Sequence, residues 1–147
     1  MTTVGCAPLL RAGGVAIVVE PDRDIAELVA VAVSRCGYVP LLVPTVTQLA
    51  QAVPLRPSLI VLDQTLPGLS GVRSALREVR SVEGLGCPVV LTSAWTEEGH
   101  AEVATAAGAV AYAEKPFTPS SLTALLAGLA ARASERADGG MAALAYS

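Results

Sequence analysis

Apolar and polar positions along this chain fall into two alternating patterns. The run Val-Ala-Ile-Val-Val at 15–19 is rich in β-branched residues and unbroken, which suits a strand covered on both faces. The period then changes over 21–37. Ile25, Leu28, Val29, Ala32 and Cys36 share one helical face, Pro21 suits a first helical turn, Asp24 with Glu27 resembles a capping box, and Gly37 ends the helix. The pair of patterns recurs four times. Strands are expected at 38–43, 58–63, 88–93 and 109–113, and helices at 45–53, 70–81, 97–107 and 119–133. The third helix should turn Val72, Leu76 and Val79 inward, and the last should line up Leu122, Leu125, Leu126 and Leu129.

Five β-α units with apolar strands imply a parallel sheet with helices on both faces. The expected class is α/β, a flavodoxin-like (βα)5 doubly wound parallel sheet with strand order 2-1-3-4-5 and its site where the order reverses. A chain of 147 residues is one domain. Residues 1–13 and 136–147 lack periodicity. They are expected to be a flexible N-terminal segment and a C-terminal tail around a domain at 14–135, with no room for an output domain.

Composition narrows the classes further. Apolar residues at 52% and charged residues at 16% exclude a disordered chain. The longest uncharged stretch, 36–55, holds Pro40, Pro44 and Pro54 and reads poorly as a membrane span. With no signal-like N-terminus, a cytoplasmic location is expected. The net charge is −3 and the arginines are scattered, so neither nucleic acid nor membrane is expected as a partner. Cys6, Cys36 and Cys87 have no metal-ligand spacing. His100 is the only histidine and reads as a solvated helix residue. No G-K-[ST] loop exists, and Gly84-x-Gly86 leads into a strand rather than a helix, so nucleotide binding and flavodoxin-like enzyme chemistry find no support.

The carboxyl ends of the strands carry the candidate chemistry. The first strand ends at Glu20, with Asp22 two residues on; the third ends at Asp63 and the fourth at Ser93. Lys115, the only lysine, follows the fifth. Strands one and three are neighbours in the expected order, so Glu20 and Asp63 should converge. Carboxylates gathered in one crevice invite a hard cation such as Mg²⁺. An ammonium and a hydroxyl opposite them could stabilise an in-line phosphoryl transfer to Asp63.

These residues sit in text that resembles the receiver domain of bacterial two-component response regulators. The resemblance spans 15 to about 133. It rests on Ile60-Val61-Leu62-Asp63 with Leu66-Pro67-Gly68, on Pro88 to Ser93-Ala94, and on Ala113-Glu114-Lys115-Pro116-Phe117. It implies a phosphoacceptor at Asp63, a switch hydroxyl at Ser93, a phosphate-contacting Lys115, an aromatic switch at Tyr112, and a cis peptide between Lys115 and Pro116. It also implies Mg²⁺ held by Glu20, Asp22, Asp63 and the backbone carbonyl of Thr65, and Trp95 beside the pocket. One departure stands out: Pro21 occupies the place of the family's second acid. That makes the acidic pocket atypical and should weaken metal binding, unless Asp22 substitutes.

The implied protein is a stand-alone, phosphorylation-dependent switch and not an enzyme beyond self-catalysed phosphotransfer and dephosphorylation. The implied partners are a histidine kinase or histidine phosphotransfer domain, and a downstream protein on the face formed by helix four, strand five and helix five. The alternative is a phosphate-independent pseudo-receiver acting as an interaction or homodimerisation module. Pro21 motivates it, as do small apolar residues read as outward-facing: Ala26, Ala30 and Val33 on helix one, and Ala124, Ala127 and Ala131 on helix five.

Overall fold

In a computed structural model, residues 14–64, 72–94, 100–106 and 108–129 are described. Five strands, β1 (Val15–Val19), β2 (Val39–Val43), β3 (Leu59–Asp63), β4 (Val89–Ser93) and β5 (Ala111–Glu114), form one parallel sheet in the order β2-β1-β3-β4-β5. The helices are α1 (Arg23–Arg35), α2 (Leu49–Ala52), α3 (Val72–Ser81), α4 (His100–Ala106) and α5 over 119–129.

Alternation along the strands divides the core in two. Ala16, Val18, Leu59, Val61 and Val90 pack with Val29 and Val33 of α1 and Leu122 and Leu126 of α5. Ile17, Val19, Ile60, Leu62 and Leu91 pack on the other face with Leu49 of α2 and Leu76 and Val79 of α3. Ala16–Val19, Leu59–Leu62 and Val89–Leu91 are accordingly apolar and buried at every position, as a sheet covered on both faces requires. Pro40 lies in β2, at the edge of the sheet. The N–H of Val39 turns inward to Gly14 O at 2.8 Å, so alternation turns the proline nitrogen outward, where no ladder bond is lost.

Several local expectations are corrected. Helix α1 begins at Arg23, so Pro21 lies outside it. Its N-cap is Asp22, not a capping box at Asp24 and Glu27: Asp22 Oδ1 accepts the N–H groups of Asp24 at 2.9 Å and Ile25 at 3.3 Å. Glu27 instead meets Arg23 on the surface. Ala26 and Val33 are buried, at 3% and 0% exposure, and Ala30 is half-buried. Helix α1 packs across the sheet with a wider stripe than five positions suggested. At 45–53 there is only one α-turn between 3₁₀ turns at Val46–Gln48 and Val53–Leu55, because Pro54 has no N–H to continue a ladder. The fifth strand starts at Ala111 rather than 109. Gly37, at φ 92, ends α1 by a left-handed turn open to glycine. Ala124 of α5 is exposed and Ala127 packs against the core. Residues 1–13, Ala131 and the tail at 136–147 lie outside the described residues.

Candidate functional site

The ladder runs one residue past each of the three strands that matter here. Glu20 N–H reaches Val43 O at 3.3 Å, Gln64 N–H reaches Thr92 O at 3.0 Å, and Lys115 N–H reaches Ser93 O at 2.8 Å. Alternation therefore still decides which way these residues point. Glu20 continues the row Ala16 and Val18, Asp63 the row Leu59 and Val61, and Lys115 the row Ala111 and Ala113. All three rows face α1 and α5.

There they meet. Lys115 Nζ donates to Glu20 Oε1 at 2.6 Å and to Asp63 Oδ2 at 3.3 Å. The side chains are 11%, 3% and 2% exposed respectively, so the cluster is nearly out of water. Glu20 Oε2 also accepts the backbone N–H of Asp22 at 3.1 Å. Burial raises the Glu20 pKa above the usual carboxylate value. The bonds from Lys115 and the Asp22 amide oppose that rise, and the charge of Asp63 adds to it. Two carboxylates and one ammonium leave the pocket net negative by one. The peptide bond between Lys115 and Pro116 is cis.

Asp22 is exposed and commits its carboxylate Oδ1 to the start of α1; it meets Glu20 through its backbone N–H. Thr65 and Trp95 lie outside the described residues. Among the described residues, no three His, Cys, Asp or Glu side chains gather as metal ligands. The two buried carboxylates nevertheless fit Mg²⁺, which commonly uses one or two carboxylates and keeps several waters.

Ser93 and Tyr112 belong to the opposite face. Ser93 follows Val89 and Leu91, and Tyr112 packs with the same cluster facing α2 and α3. Ser93 is 0% exposed. Between them lies a residue the sequence reading missed. Gln64, 3% exposed, donates through Nε2 to Ser93 Oγ at 3.0 Å and Tyr112 OH at 3.5 Å. The signal for it was present: a glutamine directly after Asp63, on the face that Ile60 and Leu62 share.

The doubly wound sheet thus carries an acidic, lysine-bearing cluster at its carboxyl edge, where the strand order reverses. The chain belongs to the response regulator receiver domain family, whose model matches residues 16–127. It is a receiver domain of two-component signalling, a class of switches rather than conventional enzymes. It is similar to the phosphate regulon transcriptional regulatory protein PhoB of Pseudomonas aeruginosa, 36% identical over 116 residues, covering 78% of this chain and 50% of PhoB. It is also similar to the DNA-binding response regulator MtrA of Mycobacterium tuberculosis, 33% identical over 109 residues, covering 74% of this chain and 46% of MtrA. The chain thus spans about half the length of the curated relatives it matches. The BeF3-activated receiver domain of Klebsiella pneumoniae RstA shares the fold, with a TM-score of 0.64 at 24% identity, covering 78% of this chain and 97% of that one.

The partner expectation is corrected by these relatives. The charge balance was read as excluding nucleic acid, yet MtrA is a DNA-binding regulator. The likeness covers only about half of such a protein, so the charge of this segment does not measure what a whole regulator binds. No helix among the described residues is long and apolar enough to cross a membrane.

Proposed function

We propose that Asp63 is the phosphoacceptor of this receiver and that Lys115, Ser93 and Glu20 serve the transfer. The observation that carries the reading is the ion-pair cluster: a carboxylate only 2% exposed, at the switch point of the sheet, 3.3 Å from the sole lysine. An Asp63 oxygen attacks the phosphorus of a phosphorylated donor. The new O–P bond forms as the donor's bond to phosphorus breaks, and the donor leaves with that electron pair. Lys115 holds an equatorial oxygen of the transferring group. Ser93, brought across from the other face, donates its hydroxyl to a second oxygen. Tyr112 follows as the aromatic switch.

Glu20 and Asp63, with the Thr65 carbonyl, would hold Mg²⁺, and Asp22 would serve the helix instead. The cation, when bound, neutralises the developing phosphoryl charge. The same residues would support self-catalysed phosphotransfer and dephosphorylation. A reducing, cytoplasmic setting accords with the cysteine spacing, which suggests no disulfide framework.

The test is intact mass after incubation with acetyl phosphate, with and without Mg²⁺. A Mg²⁺-dependent gain of one phosphoryl group, absent in Asp63→Asn, is expected. No gain at high Mg²⁺ would overturn phosphoacceptance and favour the phosphate-independent reading.

A further inference from the structure

The carboxyl edge of the sheet carries two clusters on opposite faces. The charged one, Glu20, Asp63 and Lys115, faces α1 and α5. The neutral one, Gln64, Ser93 and Tyr112, faces the other way. They are joined by a single peptide bond, between Asp63 and Gln64. Adjacent residues on a ladder point to opposite faces, so a displacement of the chain at Asp63 moves Gln64 on the far side.

The hydrogen bonds of Gln64 are unequal. The bond to Ser93 Oγ, at 3.0 Å, is ordinary; that to Tyr112 OH, at 3.5 Å, is at the limit of the interaction. The contact with Tyr112 is therefore the weaker of the two that Gln64 makes. Receiving a bond from Nε2 does not consume the Ser93 proton. The amide has a second peculiarity: its Oε1 is buried and has no hydrogen-bond partner among the described residues. An apolar side chain would avoid that orphan atom, and its neighbours along this face of β3 are apolar.

We propose that Gln64 is the positioning residue that ties Ser93 to Tyr112 and carries a change at Asp63 from one face of the sheet to the other. This rests on Asp63 as the phosphoacceptor. In the resting state the amide holds the two hydroxyls in one arrangement. When Ser93 turns to the phosphoryl group, the link to Tyr112 is released.

The test labels the protein with 3-fluorotyrosine and follows the ¹⁹F resonance of Tyr112, assigned by its loss in Tyr112→Phe. A double-mutant cycle needs no phosphate. Ser93→Ala should move the Tyr112 resonance when Gln64 is present, and at most half as far in Gln64→Met, which keeps length and loses the amide. Equal movement in both backgrounds, or none in either, overturns the link. If Gln64→Met fails to fold, as judged by the Tyr38 resonance, Gln64→Leu takes its place. Phosphoryl uptake is read by mass on the same samples. In wild type the Tyr112 resonance should move on phosphorylation, and in Gln64→Met uptake should persist with that movement at least halved. Movement as large as in wild type overturns the proposal. Absence of uptake in wild type defeats the phosphoacceptor reading alone, and the cycle still decides the link.

Discussion

Lys115 leans on Glu20 more closely than on the nucleophile: Nζ is 2.6 Å from Glu20 Oε1 and 3.3 Å from Asp63 Oδ2. The lysine charge is thus shared, and Glu20 competes with Asp63 for it. Removing the ammonium leaves two carboxylates facing each other out of water. Lys115→Met should therefore cost about 3 kcal/mol at neutral pH, the scale for stripping one partner from a buried ion pair. Protonation of Glu20, whose pKa burial raises, should shrink the loss at acidic pH. Urea unfolding at both pH values measures it. A neutral-pH loss under about 1 kcal/mol would mean that water solvates the cluster as it does a surface pair.

Glu20 makes a second pH-dependent contribution with a defined sign. Its folded pKa is raised from 4.5, chiefly by burial. Between 4.5 and the folded value, the native chain holds a proton that the unfolded chain has released. Stability owed to Glu20 is therefore complete below the unfolded value and lost as pH rises through the folded one. Measured against Glu20→Gln, the wild type should lose relative stability as pH climbs from about 4.5 toward neutrality. A relative gain would show that pairing with Lys115 outweighs burial.

Much of this was legible because strands covered on both faces show unbroken apolar runs, and VAIVV at 15–19 and LIVL at 59–62 are such runs. The convergence of Glu20 and Asp63 follows from strand order, and Lys115 stood out as the only lysine. The start of α1 was misread for a physical reason. Pro21 can open a helix, but the exposed first-turn N–H groups need an acceptor, and Asp22 supplies it. Ala26 and Val33 were placed outside because a five-residue stripe understates what a helix lying on a sheet buries. Gln64 was overlooked because it does not ionise and follows the strand's last apolar residues. Only continuing the alternation beyond Asp63 would have placed it beside Ser93.

The position of Asp22 separates helix capping from metal ligation. Asp22→Ala should cost about 1 kcal/mol by removing the cap, whereas Asp22→Ser should lose only a few tenths, since a serine hydroxyl caps nearly as well. Calorimetric Mg²⁺ affinity should change less than about twofold in both, because Oδ1 is turned to Asp24 and Ile25. A loss of about tenfold in both variants, about 1.4 kcal/mol of binding, would make Asp22 a ligand after all.

Gln64 sets stability against switching. Its buried Oε1 lacks a partner among the described residues, a defect of about 1–3 kcal/mol, while its hydrogen bond to Ser93 contributes about 1 kcal/mol. Methionine has nearly the same length, removes the orphan oxygen, and suits a cluster lined by Ile60, Leu62 and Leu91. Gln64→Met should therefore be at least as stable as wild type, with a gain of about 1 kcal/mol, while the Tyr112 response weakens. Gln64→Ala should instead lose about 2 kcal/mol, because it opens a cavity at the end of β3. Denaturant melts of the three proteins decide this. If Gln64→Met proved less stable by more than about 1 kcal/mol, the amide would be a structural bond, and its orphan oxygen would have no functional explanation.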